Sequence, residues 1–169
     1  MRYILSIILI LIVPCFAFSQ GQYKVLEIID GDTIYIDFNN DGRIQKDEKV
    51  RINGIDTFET KSSNQLECQA NQYKLTKDEV LDLGRLGKEY ARKILLNNYV
   101  EAEYTAETKR CYYGRHLMSV SVNNKDYATE VLKEGLAVVY RKSNIASELQ
   151  QYENLGKMNK QLKKIHKGT

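Results

Sequence analysis

Acidic and basic side chains occur in three short motifs whose residue types suit the hydrolysis of a phosphate ester. The motifs supply three carboxylates, Asp32, Asp56 and Glu59, and two guanidinium groups, Arg51 and Arg115. Carboxylate oxygens bind hard cations, and a bound cation can neutralise a phosphodiester and activate water. Guanidinium groups donate paired hydrogen bonds to phosphate. The combination predicts a site that holds one hard cation against a phosphodiester and attacks it with water.

Each of these residues taken alone has a purely structural interpretation. Asp30 and Asp32 could shape a hairpin, because Asp-Gly is a common turn sequence. Asp56 could cap the segment that follows it, and Arg51 or Arg115 could be an ordinary surface charge. The occurrence of all the motifs in this order favours the catalytic interpretation.

The chain resembles the staphylococcal nuclease (thermonuclease-like) family. The resemblance covers about residues 22–142 and rests on Ile29–Thr33, Val50–Thr60 and Tyr113–Arg115, with a softer match at Ala128–Ala137. It implies a Ca²⁺-dependent nuclease built on an OB-type β-barrel.

The family's calcium site maps onto the second motif and one earlier residue. The resemblance implies that Asp32 and Asp56 bind Ca²⁺ through their carboxylates and Thr57 through its carbonyl oxygen. It also implies that Glu59 holds or deprotonates the attacking water. Phe58 stands where the family usually has proline. Because only proline fixes φ, this difference predicts a less rigid loop.

The substrate-binding residues are implied in the same way. Arg51 and Arg115 would bind the phosphate, and Tyr113 would bind phosphate or sugar through its hydroxyl. Tyr112 and Tyr140 are candidates for stacking on an unpaired base. Neither histidine of the chain is needed in this chemistry.

A second calcium signal lies in residues 37–48. This segment matches the EF-hand loop, with glycine at position 6 and an apolar residue, Ile44, at position 8 that is expected to pack inward. The alternative is an exposed hairpin tip with turn-forming Asn and Asp, because strands rather than helices flank the loop. The predicted ligands are Asp37, Asn39, Asp41, Arg43 (through its carbonyl oxygen) and Glu48.

The N-terminus has the pattern of a secretory signal peptide over residues 1–19. Arg2 precedes an apolar run at Ile4–Val13, and Ala17–Ser19 offers small residues for cleavage. The expected location is secreted or periplasmic. An uncleaved anchor and a lipid-modified Cys15 are the alternatives.

Two cysteines, Cys68 and Cys111, remain after cleavage, and an even count in an exported chain favours a disulfide between them over two free thiols. Removal of Arg2 lowers the formal charge from +3 to +2. Five lysines nevertheless follow Glu153 with no further acid, which suits either a polyanionic partner or a solvated helix face.

The periodicity predicts an α+β fold with five strands and about three helices over residues 20–142, which fits a small Greek-key barrel, and the resemblance implies that this barrel is of the OB type. A basic amphipathic helix would follow within residues 143–169, over about 144–166. Leu66–Leu75 stays open between loop and short helix. The other predicted helices are Lys77–Leu96 and Tyr127–Lys133, and the predicted strands are Tyr23–Ile29, Thr33–Phe38, Val50–Ile55, Tyr99–Thr105 and His116–Val122.

The expected function is Ca²⁺-dependent hydrolysis of DNA and RNA with little sequence specificity. The resemblance implies 3′-phosphate ends, and single strands are favoured if bases must unstack onto tyrosines. The protein is expected to be a monomer with no stable membrane association once the leader is removed. The alternatives are an inactive nucleic-acid-binding module on the same barrel and a calcium-binding interaction protein built around residues 37–48.

Overall fold

The computed structural model describes residues 21–104 and 114–140, in which a curved sheet is packed against three helices. The helices are α1 (Asn64–Tyr73), α2 (Lys77–Leu95) and α3 (Tyr127–Lys133). The strands of this part of the chain are β1 (Gln22–Ile28), β2 (Thr33–Asp37), β3 (Lys49–Ile52), β4 (Ile55–Thr57), β5 (Tyr99–Tyr104), β6 (His116–Val122), β7 (Lys125–Asp126) and β8 (Ala137–Val139).

The main sheet closes into a barrel through one parallel pairing. Its strands follow the order β3-β2-β1-β5-β6-β7, with antiparallel neighbours. β3 also pairs in parallel with β6, with Arg51 opposite Leu117. Strands β1, β2, β3, β5 and β6 therefore form a closed five-stranded barrel, which confirms the predicted fold class.

The barrel interior is filled by branched aliphatic side chains that recur at every second position of the strands. Ile34 and Ile36 of β2 and Val50 of β3 are fully buried. Their alternation with more exposed neighbours places one face of each strand inward. Helices α2 and α3 cover the barrel with apolar residues such as Leu95 and Leu132. The core thereby supports the strands that carry the motif residues.

The predicted strand Val50–Ile55 is two strands that belong to different sheets. Asn53 and Gly54 form a turn between them, and Gly54 has a φ of 84°, which favours glycine. After this turn β4 leaves the barrel and pairs with β8, with Asp56 opposite Val138. The turn therefore directs Asp56 and the residues after it away from the barrel wall.

The segment left open at Leu66–Leu75 is largely helical, as α1. Its N-terminus is capped by Ser63, whose hydroxyl accepts a hydrogen bond of 3.0 Å from the amide of Leu66. The predicted helices at Lys77–Leu96 and Tyr127–Lys133 correspond to α2 and α3. None of the helices within the described ranges is both long and apolar enough to span a bilayer. The predicted signal peptide and C-terminal helix lie outside those ranges.

Candidate active site

One cavity of about 520 Å³ collects the predicted catalytic and metal-binding residues. It lies where β2 and β3 meet the β4 segment and the start of β6. Residues that are far apart in the sequence share its wall because the β3–β6 pairing closes the barrel there. The charged residues in its lining are Asp30, Asp32, Arg51, Asp56, Glu59 and Arg115.

Asp32 is fixed by hydrogen bonds from three groups. Its side chain Oδ2 accepts from the Thr57 amide at 2.7 Å and from the Thr57 hydroxyl at 2.9 Å. Its Oδ1 accepts from the Thr33 hydroxyl at 3.0 Å. The residue is only 3 % exposed. A buried carboxylate needs such partners, so Asp32 has little freedom to turn away from the cavity.

Arg51 is the cation that neutralises the two carboxylates predicted to bind metal. Its guanidinium forms ion pairs with Asp32 and with Asp56, the latter at 2.7 Å, and donates to the Ile55 carbonyl oxygen at 3.0 Å. Burial lowers the pKa of Arg51, Asp56 and Asp30 oppose that shift, and the charge of Arg115 adds to it. Arg51, Asp30, Asp56 and Arg115 therefore lie close enough to interact within one site.

The donor set suits a hard cation. Oxygens of Asp32 and Asp56 both contact one guanidinium, so they converge on a common point. The third predicted ligand, the Thr57 carbonyl oxygen, accepts a hydrogen bond of 3.1 Å from Gln69 and keeps a second lone pair. Within residues 21–104 and 114–140, no group of three or more His, Cys, Asp or Glu side chains is arranged to hold a metal ion. The predicted set has only two carboxylates and one backbone oxygen.

Glu59 faces the same cavity from the loop that follows β4. Its Oε2 accepts a hydrogen bond of 3.2 Å from the hydroxyl of Ser63, the residue that caps α1. The preceding residue, Phe58, is 2 % exposed and packs against Leu66 and other apolar side chains. Packing of the Phe58 side chain therefore restricts this loop, whereas in the family the ring of the proline would do so.

Two further groups support the first motif: Asp30, for which the sequence allowed a turn-forming role, and Tyr127, whose role the sequence did not identify. Asp30 accepts a hydrogen bond of 3.2 Å from the amide of Asp32. The hydroxyl of Tyr127 in α3 donates to the Gly31 carbonyl oxygen at 2.8 Å. Burial raises the pKa of Tyr127, and the charge of Asp30 adds to the shift, so this donor stays protonated well above neutral pH. The Asp-Gly-Asp turn is thus anchored to α3.

The remaining predicted residues are one tyrosine that lines the cavity, one exposed cysteine and three residues that lie outside the described ranges. Tyr140 lines the cavity and is 44 % exposed, which leaves its ring accessible. Tyr112, Tyr113 and Cys111 lie outside the described ranges. Cys68 is exposed on α1, and its pairing with Cys111 stays a prediction.

The loop 37–48 folds around two of its predicted ligands. The Asp37 carboxylate accepts hydrogen bonds from the amides of Asp41 at 3.1 Å and Gly42 at 3.0 Å. The Glu48 carboxylate accepts from the amide of Phe38 at 3.0 Å. Both acids are more than nine-tenths buried.

The expectation that Ile44 packs inward is wrong, since this side chain is 51 % exposed. In an EF-hand, the helices that bracket the loop help to bury the apolar residue at position 8. Here a strand precedes the loop, and a 3₁₀ turn at Lys46–Glu48 leads into the next strand, so no pair of helices in the described residues brackets the loop to cover Ile44.

Comparison with known proteins supports the resemblance seen in the motifs. The family model described as "Staphylococcal nuclease homologue" matches residues 49–168. The chain is 36 % identical over 116 residues to the thermonuclease of Staphylococcus intermedius and 32 % identical over 119 residues to that of Staphylococcus hyicus. It is 30 % identical over 126 residues to endonuclease YncB of Bacillus subtilis.

These alignments cover most of the chain but a smaller part of the relatives. They include 69 % of this chain and 58 % of the S. intermedius protein, 70 % and 59 % for S. hyicus, and 72 % and 51 % for B. subtilis. The chain therefore spans between half and three-fifths of the length of these relatives. The family model itself extends over more than half of the chain, and the barrel and clustered motif residues agree with it. The protein belongs to the staphylococcal nuclease homologue family.

Proposed function

We propose that the protein is a nuclease that hydrolyses phosphodiester bonds of DNA and RNA in a Ca²⁺-dependent reaction. The observation that carries the proposal is the convergence of two guanidinium groups and three carboxylates on one cavity. The inactive-module alternative predicts loss of some of these side chains, and all five are present. Relatives named thermonuclease and endonuclease add support.

The proposed mechanism assigns the carboxylates to the ion and to the water. Asp32, Asp56 and the Thr57 carbonyl oxygen would hold Ca²⁺, which when bound neutralises phosphate charge and polarises a phosphoryl oxygen. Glu59 accepts a proton from the water whose oxygen attacks phosphorus. The bond from phosphorus to the 5′ oxygen breaks, the leaving 5′ oxygen takes a proton from solvent, and the phosphate stays on the 3′ end. The Ser63 hydroxyl orients Glu59 through its hydrogen bond.

The arginines bind the phosphate and the charge that develops on it. Arg115 lines the cavity beside Arg51, so the two forks can contact different oxygens of one phosphate. Arg51 pairs with Asp32 and Asp56, so its guanidinium is held beside the proposed ion ligands and can contact a phosphate bound there.

The proposed substrate preference rests on Tyr140, which lines the cavity. The accessible ring of Tyr140 would stack on an unpaired base, which favours single-stranded substrate with little sequence preference. The proposal includes export of a monomer to the periplasm or the medium, based on the leader pattern of residues 1–19, without membrane attachment after cleavage.

A second, structural calcium ion is proposed in the loop 37–48. Its support is the twelve-position match to the EF-hand loop, with Asp37, Asn39, Asp41, the Arg43 carbonyl oxygen and Glu48 as ligands. This ion would order the connection that leads into β3 and Arg51. Calorimetric titration should show one fewer site in Asp41→Ala, whereas Asp47→Ala, an exposed loop position outside the ligand set, should keep it. Equal stoichiometry in both variants would refute the site.

The activity is tested by incubating the mature chain with single-stranded DNA, duplex DNA or RNA, with Ca²⁺ or with chelator. Cutting that requires Ca²⁺ supports the proposal. Salt-sensitive binding without cutting would instead indicate a binding module, and calcium binding without nucleic-acid affinity would indicate an interaction protein.

Two substitutions test the assigned roles in that assay. Glu59→Ala should lower turnover about a hundredfold or more while binding is retained, because general-base catalysis has that magnitude. Arg115→Lys should also lower turnover, because a point charge cannot replace a planar fork. A Glu59→Ala protein that is fully folded and fully active would remove Glu59 from the mechanism.

A further inference from the structure

A buried glutamine of α1 bonds to the backbone on both sides of Phe58. The Gln69 side chain donates from Nε2 to the carbonyl oxygen of Thr57 at 3.1 Å. Its Oε1 accepts from the amide of Glu59 at 2.9 Å. Gln69 is 2 % exposed. Both ends of one carboxamide are therefore used, and both partners belong to residues with proposed roles in the reaction.

The chemistry of these partners allows only one orientation of the carboxamide. An amide N–H can only donate and a carbonyl oxygen can only accept, so a flipped side chain would lose both bonds. Removing the carboxamide would leave a buried carbonyl and a buried amide without these partners, which is costly. The site therefore selects glutamine specifically, rather than any buried side chain of similar size.

Gln69 contacts the loop 57–59 between the other groups that hold it, since Thr57 bonds to Asp32 before this point and Glu59 bonds to Ser63 after it. Phe58 lacks the ring that fixes φ in the family's proline. Its side chain instead packs against Leu66 and Ala70 of α1, on the helix face that also carries Gln69. Helix α1 thus holds the loop through apolar packing of Phe58, the two hydrogen bonds of Gln69 and the hydrogen bond from its N-cap Ser63 to Glu59.

We propose that Gln69 is a positioning residue for the hydrolysis, fixing the Thr57 carbonyl oxygen and the Glu59 main chain in the geometry that the reaction needs. The inference rests on the proposed function, because it assumes that Glu59 and the Thr57 oxygen take part. Displacements of about 1 Å in reacting groups can lower rates by about a hundredfold. Loss of the two Gln69 hydrogen bonds should therefore lower kcat and leave KM nearly unchanged, since Arg51 and Arg115 are untouched.

The test compares Gln69→Met with Val100→Ala in the full mature protein. Gln69→Met keeps the length and apolar bulk of the side chain but loses both hydrogen bonds. Val100→Ala is the control, because Val100 is 1 % exposed in β5 and belongs to the barrel core rather than to the cluster that contains Phe58. For each variant kcat, KM and the Ca²⁺ concentration for half-maximal activity are measured at temperatures where it is fully folded. Hydrogen exchange of the Glu59 amide is followed by NMR.

Gln69→Met is expected to lower kcat about tenfold to a hundredfold, to change KM less than threefold and to accelerate exchange of the Glu59 amide. Val100→Ala should lose thermal stability while its kcat stays within about threefold. The proposal is overturned if folded Gln69→Met keeps its kcat, or if the control loses kcat to the same extent. Rapid exchange of the Glu59 amide in the unmodified protein would also overturn it, whether or not the protein cuts nucleic acid. Absence of calcium-dependent cutting in the unmodified protein would instead overturn the proposed function.

Discussion

Gly84 of α2 lies against the backbone of the loop that carries Glu59, and its replacement by alanine tests how that loop is supported. A Cβ atom at Gly84 would lie 2.2 Å from the Glu59 carbonyl oxygen and 2.7 Å from the Phe58 carbonyl oxygen. Ordinary contacts begin near 3.4 Å. The loop or the helix must therefore move by about 1.2 Å (3.4 minus 2.2), and neither obstacle is a side chain that could rotate away.

The expected change in the unfolding free energy of Gly84→Ala follows from two opposing effects. Alanine in a helix interior is favoured over glycine by about 1 kcal/mol. Overpacking of a tight contact costs about 1–3 kcal/mol. Gly84→Ala should therefore lower the free energy of unfolding by roughly 0–2 kcal/mol, in contrast to the gain expected at an unobstructed helical glycine.

Gly87 in the same helix provides the matched control. A Cβ atom there would lie 3.3 Å from the Leu136 carbonyl oxygen, which requires only a slight adjustment. The helix-propensity gain is the same at both positions. The difference in unfolding free energy between Gly84→Ala and Gly87→Ala therefore isolates the steric cost, about 1–3 kcal/mol.

The assay is urea denaturation of both variants, read from the midpoints at constant m-value, together with nuclease turnover on single-stranded DNA. Gly84→Ala should also lose up to about a hundredfold in turnover, because the shift is transmitted to Glu59. The reasoning is refuted if the two variants are equally stable and Gly84→Ala cuts at the unmodified rate.

Three other substitutions address separate supports of the site. Phe58→Ala should lower the unfolding free energy by about 3–5 kcal/mol in urea denaturation, because a fully buried ring is removed; a loss below about 1 kcal/mol would contradict its anchoring role. Tyr127→Phe should cost about 1 kcal/mol at pH 8 by loss of the hydrogen bond to Gly31. Because burial raises the pKa of Tyr127 above its ordinary value of 10.0, the unfolded chain releases this proton first. The stabilisation is then complete below pH 10 and decreases above it by about 1.4 kcal/mol per pH unit, so the two proteins should converge in alkaline thermal melts. Arg51→Lys should lower the melting temperature, since one ammonium cannot match a guanidinium that pairs with Asp32 through Nη1 and bonds Asp56 and the Ile55 carbonyl oxygen through Nη2, and an unchanged value would argue against that pairing.

The elements with a regular apolar period could be predicted from the sequence. Strand β6 has the predicted bounds, and α2 differs from the predicted Lys77–Leu96 by one residue. Helix α1 could not be assigned, because one of its three buried positions is the polar Gln69 and the apolar period is interrupted there. The split of Val50–Ile55 depends on β8, a pairing partner more than eighty residues further along the chain.

The charged members of the site were predictable for a different reason. The chemistry limits their residue types and the family resemblance supplied their order, so the motifs predicted that Asp32, Arg51, Asp56 and Glu59 share one site, and the structure brings these four side chains to one cavity. Gln69 and Gly84 have no such signal. Glycine is a poor helix former, so Gly84 would ordinarily count against a helix, yet the close approach of the Glu59 backbone requires glycine there.

The parallel pairing of β3 with β6 joins the strand of Arg51 to the strand that begins directly after Arg115. This pairing joins segments that are more than sixty residues apart, so it is among the contacts with the greatest loop-closure cost during refolding. A partly folded chain in which β3 and β6 are not yet paired possesses both arginines but cannot direct them at one phosphate. Recovery of cutting after dilution from denaturant should therefore coincide with the slowest phase of barrel assembly, so that enzymatic activity reports closure of the β-sheet.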